Sequence, residues 1–169
     1  MARVDPYLRS ILDRLGDLDP IDVLAATPLR LADLAEALSA DGWSESHAPG
    51  RWSAGTVLAH LVDTELGLGF RLRQAVAAPQ DLGAHAVQPF DQDAWAARSA
   101  RADPSLALEA FRALRAWNLA LLAGFSLEDW MREMRHHERG LESVDMLVRF
   151  LAGHDLHHLD QLDAVARGG

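Results

Sequence analysis

A segment near the C-terminus, residues 144–165, constrains the fold of this chain more than any other. Its apolar residues recur at the three- and four-residue spacing of an amphipathic helix; they are Val144, Leu147, Val148, Leu151, Leu162 and Val165. At about 100° per residue, His154 and His158 fall on this apolar face, whereas His157 falls outside it. Two imidazoles four residues apart on one helix can bind one metal ion. The alternative is a pair of hydrogen-bonded core histidines.

A second segment supplies a third imidazole. Ser53 is a suitable N-cap for a helix over about residues 54–77. The apolar stripe of that helix is formed by Val57, Leu58, Leu61, Leu68 and Leu72. His60 lies at the edge of the stripe, aligned with Thr64 and Arg71. A site with three protein ligands and an open position is typical of a catalytic metal. Three imidazoles suit zinc, nickel, iron or cobalt better than magnesium or calcium.

Polar residues near these histidines are candidates for supporting roles. Glu65 lies close to the apolar stripe of its helix and could be a general base or a partner of a metal ligand. A structural ion pair of Glu65 with Arg71 or Arg73 is an equally good interpretation. Asp155 and Gln161 neighbour the C-terminal histidines in sequence, so either could orient a ligand imidazole or a bound water.

Aromatic and acidic residues could wall the site. Trp52 is expected mainly to pack the start of the second helix, with a place in the pocket wall as the alternative. Residues 78–103 show no clear apolar period, and so long a connection in a compact domain is often functional. The residues of this region that could line the mouth of the pocket are Phe90, Asp91 and Trp95. They could equally belong to a short packed helix over 92–98.

Four long helical patterns and no strand pattern predict an all-α fold, a four-helix bundle in a single domain over residues 1–169. The dipeptides Asp19-Pro20 and Asp103-Pro104 are helix start signals, with Asp as N-cap and Pro at the first helical position. Thr27-Pro28 predicts a kink or two short helices in the element that follows residue 20.

Three further expectations concern the remaining segments. A short helix is predicted from Pro6 to Leu15, with no role indicated other than packing on the bundle or on a partner. The helix after Pro104 is expected to place its apolar face inward, which consists of Leu106, Ala110, Leu114, Trp117 and Leu121. Residues 131–140 are polar and non-periodic, so a solvated linker is favoured over a metal cluster formed by its residues His136, His137 and Glu138.

Composition excludes several classes of function. The formal net charge is −9 and no cluster of Lys and Arg with interleaved aromatics is present, which argues against nucleic-acid binding. No run of 18 apolar residues and no signal-peptide core occur, so we expect a cytoplasmic protein without a membrane partner. The chain has no Cys, which excludes disulfides, cysteine-bound zinc and an enzyme thiol nucleophile.

The motifs together resemble those of the DinB-like (DinB/YfiT) superfamily. Trp-Ser followed by Val-Leu-Ala-His-Leu-Val-Asp-x-Glu, over 52–65, and Gly-His-Asp-x-His-His-Leu-x-Gln, over 153–161, carry the resemblance. Phe90-Asp91-x-x-x-Trp95 and His137-Glu138-x-Gly140 are also similar to segments of its members, and the likeness extends over roughly 20–166. The resemblance implies a four-helix bundle, usually a homodimer, with one divalent metal. By position, its three ligands would be His60, His154 and His158.

The resemblance does not fix the reaction, since members include thiol-dependent S-transferases and isomerases. The preferred hypothesis is a metal-dependent enzyme, with nickel or zinc first and iron as a further candidate. It would activate an external low-molecular-weight thiol, such as bacillithiol or mycothiol, for reaction with a small-molecule substrate. The second is a hydrolase that activates metal-bound water, with Glu65 or Asp91 as base. The third is a non-catalytic dimer that binds a metal or a ligand.

Overall fold

The helices of the structure lie close to their predicted positions, and the structure also contains a small sheet. The computed structural model describes residues 6–79, 83–89, 91–137 and 139–168. Its helices are α1 (Pro6–Leu15), α2 (Pro20–Ala37), a 3₁₀ turn (Asp41–Ser44), α3 (Ala54–Ala77), α4 (Gln92–Ser99), α5 (Pro104–Leu122), α6 (Leu127–Met131) and α7 (Val144–Ala166). Its strands are β1 (His85–Ala86), β2 (Glu133–His136) and β3 (Gly140–Ser143).

The four long helices α2, α3, α5 and α7 form the predicted four-helix bundle. Helix α2 packs on α5 and α7, and α3 packs on the same two helices. Each long helix begins at a side chain that accepts hydrogen bonds from first-turn amides, as N-caps do. These four N-caps are Asp19, Ser53, Asp103 and Ser143. Among the described helices, none combines the length and the apolar character that a membrane crossing requires.

Helix α1 packs against α7, so the N-terminal helix packs on the bundle, one of the two places considered for it. Ile11 and Leu15 are each 1% exposed. At Gly153 the two backbones meet so closely that a Cβ atom would lie 2.2 Å from the carbonyl oxygen of Ile11. Only glycine therefore fits this position of α7 without moving α1.

The two short helices that were one interpretation of Thr27-Pro28 are not found, because α2 is one continuous helix that contains Pro28. A proline in a helix leaves the carbonyl four residues earlier without its helical donor. Here that carbonyl belongs to Leu24, and the Arg115 guanidinium donates a hydrogen bond to it over 2.8 Å. A side chain of α5 therefore supplies the donor that Pro28 lacks.

The predicted inner face of α5 was wrong. Leu106 and Trp117 are 61% and 68% exposed. The buried face consists instead of Ala107, Phe111, Arg115, Asn118 and Leu122. This face carries Arg115 inward because two acidic side chains from α3 and α7 bind it in the interior, a compensation that an apolar pattern cannot reveal.

The segment predicted as a solvated linker forms strands. Strand β2 pairs antiparallel with β3 and parallel with β1. Met134 and His136 are buried while Glu133 and Arg135 are exposed, the alternation of a half-buried strand. Gly140, with φ of 83°, lies at the turn between β2 and β3. Four residues are too few for this period to be recognised in a charged stretch. Glu138, which the sequence grouped with His136, lies outside the described residues.

Candidate metal site

The three predicted histidines meet in the interior between α3 and α7. The Nε2 atom of His154 lies 3.0 Å from Nε2 of His60 and 3.1 Å from Nε2 of His158. The three side chains are buried, and one ring nitrogen of each lies within 4.8 Å of the others. Three imidazole nitrogens thus converge on one point, as a metal site requires.

The histidines are neutral near pH 7. Burial, reinforced by a neighbouring imidazole, lowers the pKa of His60 to about 4. Burial lowers the pKa of His158 to about 3, with His60 as a further cause. Burial also places the pKa of His154 well below its ordinary value. Neutral imidazoles are the form that binds metal, because one nitrogen then carries a lone pair.

Gln161 fixes which nitrogen of His158 carries the proton. The Nδ1 atom of His158 lies 2.8 Å from Oε1 of Gln161, and the amide nitrogen of Gln161 lies 3.2 Å from Nε2 of His157. An amide oxygen only accepts, so Nδ1 of His158 is the donor and its Nε2 is left with a lone pair. Gln161 therefore orients a predicted ligand ring, as one of the sequence-based interpretations held, and His157 contacts Gln161 outside the cluster.

Hydrogen bonding alone leaves ring nitrogens of this cluster without partners among the described residues. Because Nε2 of His158 carries no proton, Nε2 of His154 can make a normal hydrogen bond across only one of its two short contacts. No second proton of His154 Nε2 is available for the other contact, beside which the Thr64 hydroxyl lies 3.5 Å from Nε2 of His60. The Nδ1 atoms of His60 and His154 are also buried without a partner among the described residues. A single cation among the three Nε2 atoms would accept all three lone pairs, so the donor set fits a divalent transition metal.

Trp52 closes the cluster on one side. Its ring centroid lies 4.9 Å from that of His60 and 6.5 Å from that of His158, and its plane is within 10° of the His158 ring. It also packs against the core cluster at the start of α3. Both sequence-based interpretations of Trp52, packing and pocket wall, thus describe contacts that this side chain makes.

Glu65 and Asp155 lie in a separate buried network centred on Arg115. The Arg115 guanidinium contacts Glu65 and Asp155, each over 2.7 Å. Asn118 donates to the Glu65 carboxylate over 2.9 Å, and Thr27 donates to Asp155 over 2.7 Å. The ion-pair partner of Glu65 is therefore Arg115, not Arg71 or Arg73 as considered from the sequence.

This network changes the roles that the two carboxylates can take. Neither Glu65 nor Asp155 is among the described residues that line the cavities at the histidines. The observed hydrogen bonds of Asp155 go to Arg115 and Thr27 and not to an imidazole. Burial raises the pKa of Asp155, an effect that Arg115 opposes. The network ties α3, α5 and α7 together beneath the histidines, because Asp155 directly follows His154.

Two adjoining cavities reach the histidines. The larger has a volume of about 610 Å³, and Asp91 is the one carboxylate among the described residues that line it. Asp91 also caps α4 by accepting a hydrogen bond from Ala94. The smaller, of about 340 Å³, is bordered by Trp52, Gln161 and His157.

Trp95, which was also expected at the mouth of the pocket, is not found there. Trp95 is 39% exposed and lines neither cavity. Phe90 lies outside the described residues. Sequence reasoning missed Tyr7, which α1 brings to both cavities, and Arg139, which follows strand β2. A single aromatic residue on a short helix and an arginine in a charged stretch gave no signal.

Fold and site together define a class: a four-helix bundle that holds three buried histidines against an open cavity. The chain belongs to the DinB superfamily, whose sequence profile matches residues 24–162.

Three curated proteins are similar in sequence to this chain, and all three are provisionally named metal-dependent hydrolases. A protein of Oceanobacillus iheyensis is 26% identical over 123 residues, which cover 72% of this chain and 69% of the relative. A second protein of that organism is 28% identical over 134 residues, covering 77% and 73%. YfiT of Bacillus subtilis is 23% identical over 150 residues, covering 87% and 82%. A solved structure of YfiT, described as an unusual four-helix bundle, superposes with a TM-score of 0.80 at 20% identity, over 99% of this chain and 90% of that one.

Proposed function

We propose that this protein is a metal-dependent enzyme in which His60, His154 and His158 bind one divalent transition metal, with nickel or zinc preferred. The convergence of their three Nε2 atoms, two pairs of which lie within 3.1 Å, carries this proposal. Nickel and zinc are preferred because a set of neutral imidazoles binds these ions well.

The reaction we propose is hydrolysis of a small molecule. A metal at the three histidines would act as a Lewis acid and lower the pKa of a nucleophile bound beside it. Asp91 is the carboxylate that borders the larger cavity, and we assign it the role of general base. Glu65 is not assigned this role because Arg115 and Asn118 hold its carboxylate. The provisional names of the three relatives support the same class of reaction.

Transfer to or from an external thiol is the second candidate. Because the chain contains no Cys, a thiol such as bacillithiol would have to enter the cavity from solution. The larger cavity, of about 610 Å³, is within the size range of sites for small molecules. A thiol that donates its sulfur to the same metal would be activated by the same lowering of its pKa.

A substrate screen with and without thiol separates the two reactions. Protein loaded with zinc or nickel is tested on a panel of small esters, amides and epoxides, in buffer alone and with bacillithiol or mycothiol. Turnover in buffer alone that is lost in His154→Ala supports hydrolysis. Turnover that requires the thiol and gives a product carrying it would show that the reaction is transfer and not hydrolysis. No turnover in either case by metal-loaded protein would contradict the enzymatic proposal and favour a non-catalytic binding protein.

Two variants test whether Asp91 is the general base. Asn and Ser both cap helices well, so Asp91→Asn and Asp91→Ser preserve the start of α4 while they remove the carboxylate. A loss of turnover of about 100-fold or more in both variants, at unchanged metal content, is expected for a general base. Full activity in either variant would refute the assignment of Asp91.

The homodimer implied by the resemblance is a further proposal. Large apolar side chains that a second copy would cover are exposed on the bundle, among them Phe70 at 59% and Trp117 at 68%. Light scattering coupled to size exclusion should give twice the 18.5 kDa chain mass, and a monomer at micromolar concentration would refute this proposal.

A further inference from the structure

Thr64 is a buried polar residue on the wall of the larger cavity. It lies one helical turn after His60 on α3 and is 3% exposed. It lines the larger cavity together with His60 and His154. A polar side chain in the interior is normally hydrogen-bonded, because its burial otherwise costs free energy. The partners of the Thr64 hydroxyl therefore indicate what this side chain does.

The Thr64 hydroxyl makes no hydrogen bond of typical length among the described residues. Its one hydrogen-bond contact is with Nε2 of His60, and at 3.5 Å this contact is longer than a typical hydrogen bond. Threonine in a helix often donates instead to the carbonyl four residues earlier. The Thr27 hydroxyl lies 3.0 Å from the carbonyl of Val23 in this way, and 2.7 Å from the Asp155 carboxylate. Within the described part of the chain, Thr64 makes no such bond to the carbonyl of His60.

The nitrogen that the Thr64 hydroxyl approaches is one that the proposed metal would take. Once the lone pair of His60 Nε2 binds a cation, it can no longer accept a hydrogen bond from Thr64. The Thr64 hydroxyl is also the one hydrogen-bond contact, outside the histidines themselves, that the described residues make with the three Nε2 atoms. A bound metal would therefore leave a buried hydroxyl beside the site without a partner.

We propose that the Thr64 hydroxyl donates a hydrogen bond to the nucleophile that is activated at the three histidines. A nucleophile whose pKa is lowered at a metal carries negative charge, and a hydrogen bond to a charged acceptor is among the stronger ones. This role complements that of Asp91, which as a carboxylate accepts a proton and cannot donate one. The role of Thr64 rests on the proposed metal site.

Anion binding to cobalt-loaded protein tests the proposal without a substrate. Azide is an anion that accepts hydrogen bonds, whereas imidazole binds a metal through one nitrogen and carries a proton on the other. The visible spectrum of cobalt gives the affinity for each probe. Thr64→Val removes the hydroxyl at nearly constant shape and should weaken azide binding about tenfold or more, as expected for a hydrogen bond to a charged group. Its affinity for imidazole should change by less than about threefold.

Two further variants control this measurement. Thr64→Ser keeps the hydroxyl and should bind azide within about threefold of wild type. Thr56→Val makes the same substitution two turns earlier on α3, at a residue outside the described lining of both cavities, and should leave both affinities unchanged. Unchanged azide affinity in folded Thr64→Val, an equal loss of imidazole affinity, or no recovery in Thr64→Ser would overturn the proposal.

Urea unfolding of metal-free protein separates this role from a structural one. Because the Thr64 hydroxyl lacks a hydrogen bond of typical length, Thr64→Val should unfold at the same urea concentration as wild type or at a higher one. Thr27→Val is the matched control, since it removes the hydrogen bond to Asp155 and should unfold at a lower urea concentration. A midpoint for Thr64→Val as low as that for Thr27→Val would show that the hydroxyl stabilises the fold, and would overturn the proposal.

Cobalt uptake distinguishes failure of this proposal from failure of the metal site. Thr64 is not a proposed ligand, so Thr64→Val should take up as much cobalt as wild type. Normal uptake with unchanged azide affinity in Thr64→Val would contradict the role of Thr64 and leave the metal site intact. No uptake by wild type would contradict the metal site, and the role of Thr64 with it.

Discussion

Removal of the Arg115 charge should strongly destabilise the fold. The side chains of Arg115, Glu65 and Asp155 are at most 1% exposed, so Arg115→Met leaves two carboxylates buried without their cation. Breaking a buried ion pair from one side costs about 3–5 kcal/mol in the free energy of unfolding. The Leu24 carbonyl opposite Pro28 also loses its donor. For a chain of this size, the expected fall in Tm is roughly 6–20 °C.

Urea unfolding of metal-free protein at pH 7, followed by circular dichroism, measures this loss. Arg112→Met, an exposed position on the same helix, is the matched control and should change the free energy of unfolding by less than about 0.5 kcal/mol. Neutralising the carboxylates with Glu65→Gln and Asp155→Asn in the Arg115→Met background should recover part of the loss. A loss below about 1 kcal/mol in Arg115→Met, or no recovery in the triple variant, would refute this explanation of the core.

Three further predictions concern the histidines and their supports. Because the pKa values of His60 and His158 in the folded chain are about 4 and 3, below the 6.5 of the unfolded chain, unfolding takes up protons between these values. The free energy of unfolding of metal-free protein should therefore be highest above pH 6.5 and fall as the pH drops towards 4. His60 alone should contribute about 3 kcal/mol to this fall. A free energy of unfolding, measured by urea titrations, that does not change over this pH range would contradict the prediction. Gln161→Leu should weaken zinc affinity about 10–100-fold in a chelator competition while Gln161→Glu retains it, and equal affinities would show that the amide does not orient the ring. Gly153→Ala should lower stability by about 1–3 kcal/mol, although alanine favours helix, because its Cβ would meet the carbonyl of Ile11; greater stability would refute the close packing of α1.

The parts of the fold that the sequence predicts are those governed by local rules. Side-chain N-caps with proline at the first position set the starts of α2 and α5, and apolar periodicity set the lengths of α3 and α7. The spacing of His154 and His158 predicts that both rings lie on one helix face, whereas His60 was assigned as the third ligand by the family resemblance.

Two of the errors arise where a residue far away in the sequence changes the structure that the local pattern predicts. Pro28 does not break its helix because Arg115 binds the freed carbonyl, and α5 turns Arg115 inward because Glu65 and Asp155 bind it. Both contacts join residues far apart in sequence, so no single-helix pattern reports them. Strand β2 was missed because four residues are too few to establish a period of two.

The metal content of untagged protein tests the central claim most directly. Wild type, His158→Ala and His157→Ala are each incubated with zinc or nickel, freed of excess metal and analysed for bound metal. We predict about one ion per chain in wild type and in His157→Ala, whose ring contacts Gln161 outside the cluster, and loss of the ion in His158→Ala. No metal in wild type, or full occupancy in His158→Ala, would contradict the assignment of His60, His154 and His158 as a metal site.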